Sequence, residues 1–374
     1  MLEGFRDWGL KGLFRLLADA ASQRRLDRKL VNLRKSTPAM SPRSSFLLNL
    51  SPTMNILFVA DPLESFKIYK DTTFAMMREA QRRGHSISAC ETKDIMWQRG
   101  TPVTAFVRDI HLTGDAHNWF TAEQQYPDER PQALRDFGCI IMRKDPPFDS
   151  EFFYSTHLLE QAEREGARVF NKPSALRDHP EKLAIMAFQQ FIGPTLVTRD
   201  ASDIKRFHAE HQDIILKPLD GMGGTGIFRV KADGLNLGSI IETLNKEGSQ
   251  SVMVQKFLPA IAKGDKRVLV IGGKPVPFVL ARIPQGNEVR GNLATGGLGV
   301  AQALSARDRE IAEAAGPVLA ARGLLLAGID VIGDCITEIN VTSPTCFQEI
   351  FDQTDFDVAA MFIDALEAAL ATPA

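Results

Sequence analysis

The chain has 374 residues, of which 44% are hydrophobic, and its 44 lysines and arginines face 46 aspartates and glutamates for a formal net charge of −2. This length predicts about two or three domains with a substantial core. The balanced charge argues against nucleic-acid binding, which needs clustered basic residues to replace phosphate counterions. The longest apolar stretches, such as residues 323–332, fall short of the roughly 18 uncharged residues of a membrane-spanning helix, which indicates a soluble protein without a transmembrane segment.

The cysteines at positions 90, 139, 335 and 346 are widely spaced and form no CxxC pair. This spacing argues against a zinc site and against a disulfide framework. We expect the four cysteines to behave as small buried hydrophobic residues, and we expect the protein to be located in the reducing cytoplasm.

Residues 1–53 form a basic leader with ten lysines and arginines and four acidic residues. Aromatic and leucine residues recur in it at helical intervals, so an amphipathic helix on a membrane surface or an import signal is one interpretation. The favoured interpretation is that translation begins at Met54 and that the leader has no function.

Predicted elements begin at Met54. A strand over Ile56 to Ala60 precedes a helix from about Asp71 to Arg83 that Gly84 ends, and strands follow at Ser86 to Cys90 and Cys139 to Met142. This alternation predicts an open βα sheet.

Residues 174–190 predict a helical stretch, and β-rich sequence follows it. Residues 305–322 predict a helix, residues 325–341 two strands, and residues 355–371 a closing amphipathic helix. The whole pattern indicates a multi-domain protein of the α/β or α+β class.

A glycine-rich segment at residues 219–226 follows a strand that carries Lys217. It contains a formal G-x-G-x-x-G, but the dinucleotide-binding fingerprint requires a helix directly afterwards, and Ile227 to Val230 is β-prone. The pattern therefore predicts a flap between two strands, whose backbone N–H groups and lysine bind nucleotide phosphates. A merely flexible hairpin is the alternative.

A second glycine-rich loop, residues 291–299, follows Arg282 and Arg290. Such a loop can close over an anionic reaction centre and exclude water. The alternative is an ordinary surface loop, in which each arginine forms an exposed ion pair of little energetic value.

Glu338 and Asn340 are two residues apart on a predicted strand and therefore point to one face. Asp330 lies on the same face as Glu338 and Asn340 in only one register of the two predicted strands. A two-residue turn at residues 333–334 would place Asp330 opposite Thr337 on the wrong face, whereas a loop of odd length, such as three residues, pairs it with Glu338. We predict the odd loop.

Two carboxylates and an amide oxygen are hard ligands that suit Mg²⁺, with nucleotide phosphates completing the coordination. Solvated surface acids are the alternative. Apolar neighbours such as Ile329, Val331 and Ile339 favour a core sheet that faces a polar site.

The order of these motifs resembles that of the ATP-grasp ligases, and their detail resembles the prokaryotic-type glutathione synthetases. The resemblance covers about residues 54–365. It rests on the segments Met142–Asp149, Asn171–Pro173, Ile214–Gly224, Asp265–Val270, Leu280–Gly286, Arg290–Leu293 and Thr337–Thr345.

The resemblance implies an N-terminal βα substrate domain over residues 54–175 and an ATP-grasp domain over residues 176–374. The latter would have a central lid at about 182–260 and a catalytic part at about 261–374. The implied reaction joins γ-glutamylcysteine to glycine through an acyl phosphate and gives glutathione, ADP and phosphate. The resemblance also implies ATP, Mg²⁺ or alternatively Mn²⁺, and a homotetramer.

The resemblance further implies a role for each candidate site residue. ATP would be bound by Lys182, Lys217, Gly221, Gly223, Gly224, Gly226, by the adenine hinge residues Gln255, Phe257 and Leu258, and, near the ribose, by Asp265. The metal would be held by Asp330, Glu338 and Asn340. The phosphoryl group and acyl phosphate would be steadied by Arg267, Arg282 and Arg290. The dipeptide would contact Arg143, Asp145, Asn292, Thr342 and Ser343.

One position departs from the family pattern, because Leu298 stands where an arginine is common. This departure questions the strength of loop closure rather than the reaction. Two other functions stay open: an ATP-grasp ligase with another carboxylate or amine, and a regulatory protein that binds ATP without ligation. Residues 143–149 favour the dipeptide, and the intact metal and arginine sets argue against regulation alone.

Overall fold

The computed structural model of the chain describes residues 53–124 and 130–372. The predicted basic leader, apart from residue 53, lies outside the described residues. Every range below belongs to the described part of the chain.

The first half of the described chain is built mainly from short strands. In chain order its elements are β1 (Asn55–Val59), α1 (Thr72–Arg82), β2 (Ser86–Cys90), β3 (Ile95–Met96), β4 (Thr104–Ala105), β5 (Arg108–Leu112), β6 (Phe120–Gln124), β7 (Gln132–Ala133), β8 (Cys139–Met142), α2 (Ser150–Arg164) and β9 (Val169–Phe170). One sheet has the order β6-β5-β2-β1-β8-β9, and a small sheet has the order β3-β4-β7.

The strands and the helix predicted after Met54 are confirmed. β1 pairs in parallel with both β2 and β8, as expected for an open βα sheet. The side chain of Asp71 accepts a hydrogen bond from the backbone N–H of Phe74 and so begins α1. Gly84 follows the helix with a φ of +89°, a left-handed conformation that favours glycine.

The second half of the described chain contains two further sheets. In chain order its elements are α3 (Pro173–Asp178), the 3₁₀ helix Leu183–Phe191, β10 (Thr195–Thr198), α4 (Ala201–His211), β11 (Ile214–Pro218), β12 (Phe228–Val230), α5 (Leu237–Asn245), β13 (Val252–Lys256), β14 (Asp265–Ile271), β15 (Lys274–Ile283), β16 (Leu298–Ala303), α6 (Ala306–Ala321), β17 (Leu326–Ile332), β18 (Cys335–Asn340), α7 (Phe347–Thr354) and α8 (Val358–Ala371). The sheets have the orders β10-β13-β11-β12 and β16-β15-β14-β17-β18.

Two predicted helices differ in extent from those observed. The stretch predicted at 174–190 is divided into α3 and a 3₁₀ helix, because Pro180 disfavours a helical conformation at the preceding residue. The closing helix, predicted from residue 355, begins at Val358. Asp355 has a φ of +60° just after α7, and the side chain of Asp357 caps α8 instead.

The six-stranded and five-stranded sheets share hydrophobic cores. One cluster joins Leu57 and Ile140 of the first sheet to Ile329 of the second. The four-stranded sheet is covered by a separate small core of Ile204, Ile214, Leu216, Val230, Ile241, Leu244, Val252 and Val254. The four-stranded sheet therefore has a small core on one face, while Met253 of β13 belongs to the shared core.

The register of β17 and β18 is the feature of the fold that most affects the site. Asp330 lies opposite Glu338, as predicted, but the predicted odd loop is wrong. Ile332 pairs with Cys335 across a two-residue turn, and a bulge in β18 then shifts the register by one residue. The bulge, rather than the turn, brings the two carboxylates to one face.

Asn171 ties the end of the first sheet to the second. Its buried side chain donates to the carbonyls of Leu326 (2.7 Å) and Val341 (2.8 Å) and accepts from the N–H of Leu326 (3.0 Å). Backbone groups at these strand ends thus depend on one amide.

We predict that Asn171→Ala lowers the free energy of unfolding by about 3 kcal/mol, because buried backbone groups lose their partners. Denaturant unfolding measures the change. The exposed Asn118→Ala is the control and should change it by less than about 0.5 kcal/mol. Equal effects of the two substitutions would contradict the assigned role of Asn171.

Candidate active site

One cavity lies between the four-stranded and five-stranded sheets and gathers most of the predicted site residues. β11 and β12 supply the flap, the end of β13 supplies the hinge, and β14, β15, β17 and β18 supply the floor. The predicted residues that line it are Asp145, Lys182, Lys217, Gly221, Gly223, Gly224, Gln255, Phe257, Leu258, Asp265, Arg267, Arg282, Arg290, Asn292, Asp330, Glu338, Asn340, Thr342 and Ser343.

Arg143 and Gly226 do not line the cavity. Arg143 is buried, and its guanidinium donates to the hydroxyl of Thr73 (3.0 Å) and to the carbonyl of Pro344 (3.1 Å). It therefore supports the loop after β18 from behind, and its expected contact with the dipeptide stays a prediction. Gly226 lies at the base of the flap with a φ of +72°, packed near Pro218, so it shapes the turn.

The floor carries four buried charges. Arg267 lies opposite Asp330 in the sheet and donates to both of its carboxylate oxygens, at 2.6 and 3.2 Å. Arg282 lies opposite Asp265 and donates to its Oδ2 at 2.5 Å, while also lying 2.9 Å from Oδ2 of Asp330. The register of three neighbouring strands therefore aligns two arginines with two aspartates.

The pKa values of the two aspartates shift in opposite directions. Burial raises the pKa of the Asp265 carboxyl despite the nearby Arg282. Burial also acts to raise that of Asp330, but Arg267 and Arg282 outweigh it and lower the pKa to about 2. Asp330 is therefore the firmly ionised member. Oδ1 of Asp265 is buried without a hydrogen-bond partner, so it remains an available acceptor.

Two lysines converge above this floor. Lys182 donates to the carbonyl of Gly221 in the flap, and its Nζ lies 3.2 Å from Oε1 of Glu338. Nζ of Lys217 donates to the carbonyl of Thr337 (3.0 Å), and burial lowers its pKa although Glu338 opposes this shift. Two ammonium groups at one carboxylate suit a ligand that brings further negative charge, such as a phosphate chain.

The donor set at the floor fits a hard divalent cation. Asp330 and Glu338 face the cavity together, and the amide of Asn340 lies beside them, with Nδ2 donating to Asp330 at 3.1 Å. Within the described residues no three His, Cys, Asp or Glu side chains are grouped to hold a metal. A cation here therefore needs the amide oxygen and ligand oxygens, which is how Mg²⁺ binds in nucleotide sites.

The flap and the second glycine loop touch each other. Arg290 donates to the carbonyl of Gly224 (3.1 Å) and pairs with Glu288 (2.5 Å). A Cβ atom on Gly224 would lie 2.8 Å from Oδ1 of Asn292, at a φ of +84°. Glycine at this position lets the two loops meet. Leu298, within the second loop, is 53% exposed.

Two residues that the sequence did not predict as site residues contact the hinge. The guanidinium of Arg229 lies 3.5 Å from the ring centroid of Phe257 and forms a bidentate ion pair with Asp213, at 2.9 and 2.6 Å. The carbonyl of Asp213 also accepts from the N–H of Phe257 (2.8 Å). Both residues act from behind the cavity wall, and no local motif marks them.

Comparison with known proteins shows the family of the chain that forms this cavity. Residues 54–177 match the family model of the prokaryotic glutathione synthetase N-terminal domain, and residues 181–355 match that of its ATP-grasp domain. A glutathione synthetase of Ralstonia nicotianae is 60% identical over 316 residues, which are 84% of this chain and 96% of that protein. One of Neisseria meningitidis serogroup B is 54% identical over 319 residues, 84% of this chain and 98% of that protein.

The chain belongs to the prokaryotic glutathione synthetase family. It is an ATP-dependent ligase that forms C–N bonds, and ATP and a divalent metal are the family's requirements. This membership argues against the regulatory alternative, in which the protein binds ATP without ligation.

Solved structures support the predicted fold class. D-cycloserine synthetase DcsG aligns with a TM-score of 0.60 at 16% identity, covering 84% of this chain and 99% of that one. The ATP-grasp ligase PsnB, complexed with minimal precursor, Mg and ADP, aligns with a TM-score of 0.54 at 18% identity, covering 85% and 98%. The prediction of a mixed α/β protein with an N-terminal domain and an ATP-grasp fold is confirmed. No helix of the described residues is long and apolar enough to span a membrane.

We predict that Arg282→Met lowers the free energy of unfolding by about 3–5 kcal/mol, because it leaves the buried Asp265 carboxylate without its charged partner and removes one of the two arginines at Asp330. Arg290→Met should cost less than about 1 kcal/mol, because Arg290 and Glu288 are partly exposed. Denaturant unfolding measures the free energy of unfolding of both variants, and each variant replaces an arginine with a methionine. Similar losses would contradict the burial of charge at the floor.

Proposed function

We propose that this chain is a glutathione synthetase that ligates γ-glutamylcysteine to glycine at the expense of ATP. The observation that carries the proposal is the convergence of Lys182, Lys217, the floor arginines and the Asp330–Glu338–Asn340 set in one cavity, within a chain 60% identical to a glutathione synthetase. ATP lies between the two sheets in this account. Its adenine contacts the hinge, and its phosphates lie under the glycine flap.

We propose that ATP supplies hydrogen-bond or charge partners to several polar groups of the cavity. The ammonium groups of Lys182 and Lys217 contact the phosphates. Oδ1 of Asp265, a buried acceptor without a partner, accepts from a ribose hydroxyl. Backbone N–H groups of Gly221, Gly223 and Gly224 approach the phosphates closely because no Cβ intervenes.

The metal is proposed to be Mg²⁺, with Mn²⁺ able to replace it, held by Asp330, Glu338 and Asn340. When bound, the cation neutralises charge on the phosphate oxygens. Carboxylate and amide oxygens without cysteine or histidine support this choice of a hard cation.

Amide formation from a free carboxylate is unfavourable in water, so the carboxylate must be activated. A carboxylate oxygen of the cysteinyl residue attacks the γ-phosphorus, the bond to the bridging oxygen breaks, and ADP leaves. The glycine amine then attacks the acyl carbon, phosphate leaves, and the nitrogen loses a proton. Arg267, Arg282 and Arg290 place positive charge where negative charge develops in both steps.

The dipeptide is proposed to lie against Asp145, Asn292, Thr342 and Ser343, with Arg143 holding their loop from behind. The second candidate function is ligation of a different carboxylate or amine at the same centre. The floor residues act on the phosphoryl group and the reacting carboxylate, so they do not select the rest of the substrate. A homotetramer, implied by the family resemblance, and a cytoplasmic location, expected from the widely spaced cysteines, complete the proposal. Light scattering of the purified protein measures the oligomeric state.

The direct test is phosphate release by the purified protein with ATP and Mg²⁺, omitting γ-glutamylcysteine and glycine in turn, with the product identified by mass. Release that requires both substrates and yields glutathione supports the proposal. Release only with other acceptors supports the second candidate, and ATP binding without release would contradict ligation.

Glu338→Gln keeps the shape of the side chain but removes the negative charge of a proposed metal ligand. We predict about a 100-fold or larger loss of Mg²⁺-dependent turnover with unchanged unfolding behaviour. Glu310→Gln, on the exposed face of α6, is the matched control. Unchanged turnover in Glu338→Gln would remove Glu338 from the metal site.

Lys217→Ala removes a buried ammonium that is proposed to contact ATP. We predict about a 10–100-fold rise in the KM for ATP, the equivalent of one lost charged hydrogen bond. Steady-state kinetics measures it, with Lys274→Ala at the exposed start of β15 as control. An unaltered KM for ATP would refute the assigned role.

A further inference from the structure

Glu181 precedes the ATP-site lysine Lys182 and lines the same cavity, but no part of the reaction described above uses it. Its Oε1 accepts three hydrogen bonds: from the backbone N–H groups of Val341 (3.0 Å) and Thr342 (3.2 Å) and from the Thr342 hydroxyl (3.0 Å). One carboxylate oxygen thus holds the start of the loop that leaves β18.

The backbone of Glu181 binds the same region. Its carbonyl accepts from the N–H of Ile339 (3.0 Å), so residues 181–182 run along the outer edge of β18. Lys182 meanwhile lies 3.2 Å from Glu338 on that strand. The segment that supplies an ATP-site lysine is therefore fastened directly to the strand and loop that carry the metal and dipeptide positions.

The rest of the loop is held by other side chains. Ser343 donates to Asp145 (2.5 Å), Arg143 donates to the carbonyl of Pro344, and Asn171 donates to that of Val341. These partners engage hydroxyl or carbonyl groups, whereas Glu181 engages the N–H groups of the loop. Loss of Glu181 would therefore free the end of the loop nearest the metal-binding strand.

We propose that Glu181 is a positioning residue that fixes residues 341–343, and with them the dipeptide carboxylate, relative to the phosphates of ATP. The inference rests on the proposed function, because it concerns the γ-glutamylcysteine side of that site. Glu181 acts as a hydrogen-bond acceptor, and burial, followed by the nearby Glu338, raises the pKa of its carboxyl although the hydrogen bonds from Val341 and Thr342 act to lower it. A neutral acceptor of the same length therefore serves equally well.

Two conservative substitutions separate length from charge in the full-length protein. Glu181→Gln keeps an oxygen at the same reach, whereas Glu181→Asp keeps the charge but withdraws the oxygen by one methylene. We expect Glu181→Asp to raise the KM for γ-glutamylcysteine by about 10-fold or more, the equivalent of one lost buried hydrogen bond, with the KM for ATP changed by less than about 3-fold. Glu181→Gln should keep both KM values within about 3-fold of the wild type.

Glu165→Asp is the matched control, because Glu165 also accepts a backbone N–H, from Val103 (2.7 Å), away from the cavity. It should leave both KM values unchanged. The inference is overturned if Glu181→Gln is the more impaired variant, if neither variant changes the KM for γ-glutamylcysteine, or if both KM values rise together. A wild-type protein that makes no glutathione would instead refute the proposed function, so the two failures are distinguishable.

Discussion

The site depends on a buried cluster of two arginines and two aspartates on three adjacent strands. A buried ion pair repays its loss of solvation only when its geometry is good, and here strand register supplies that geometry by setting Arg267 opposite Asp330 and Arg282 opposite Asp265. Asp330 is also a proposed metal ligand. One carboxylate therefore fixes both arginines and one side of the metal site before any substrate binds, which reduces reorganisation during reaction.

The cover of the cavity is built differently from its floor. The floor belongs to a sheet whose core is shared with the N-terminal part, whereas the sheet above it has a small core of its own. Glycine loops meet across the opening through Arg290 and Gly224. A fixed, charged floor under a separately packed cover suits a reaction whose activated intermediate must be shielded from water.

Sequence periodicity and functional reasoning predicted the first sheet, the flap and the pairing of Asp330 with Glu338. The bulge that produces this pairing was not predicted, because no local residue pattern marks it; its extra residue, Thr337, accepts a hydrogen bond from the distant Lys217. Glu181 was missed for a related reason. Its partners are backbone groups about 160 residues away, and a side chain that binds backbone leaves no residue pattern at the distant position.

The central claim is that this cavity activates the cysteinyl carboxylate by phosphoryl transfer from ATP. The most direct measurement uses γ-glutamylcysteine labelled with ¹⁸O in that carboxylate, followed by mass analysis of the phosphate and glutathione formed with glycine. Activation through an acyl phosphate predicts one ¹⁸O atom in each phosphate released and the other in the new amide of glutathione. Glutathione formed with unlabelled phosphate would contradict it.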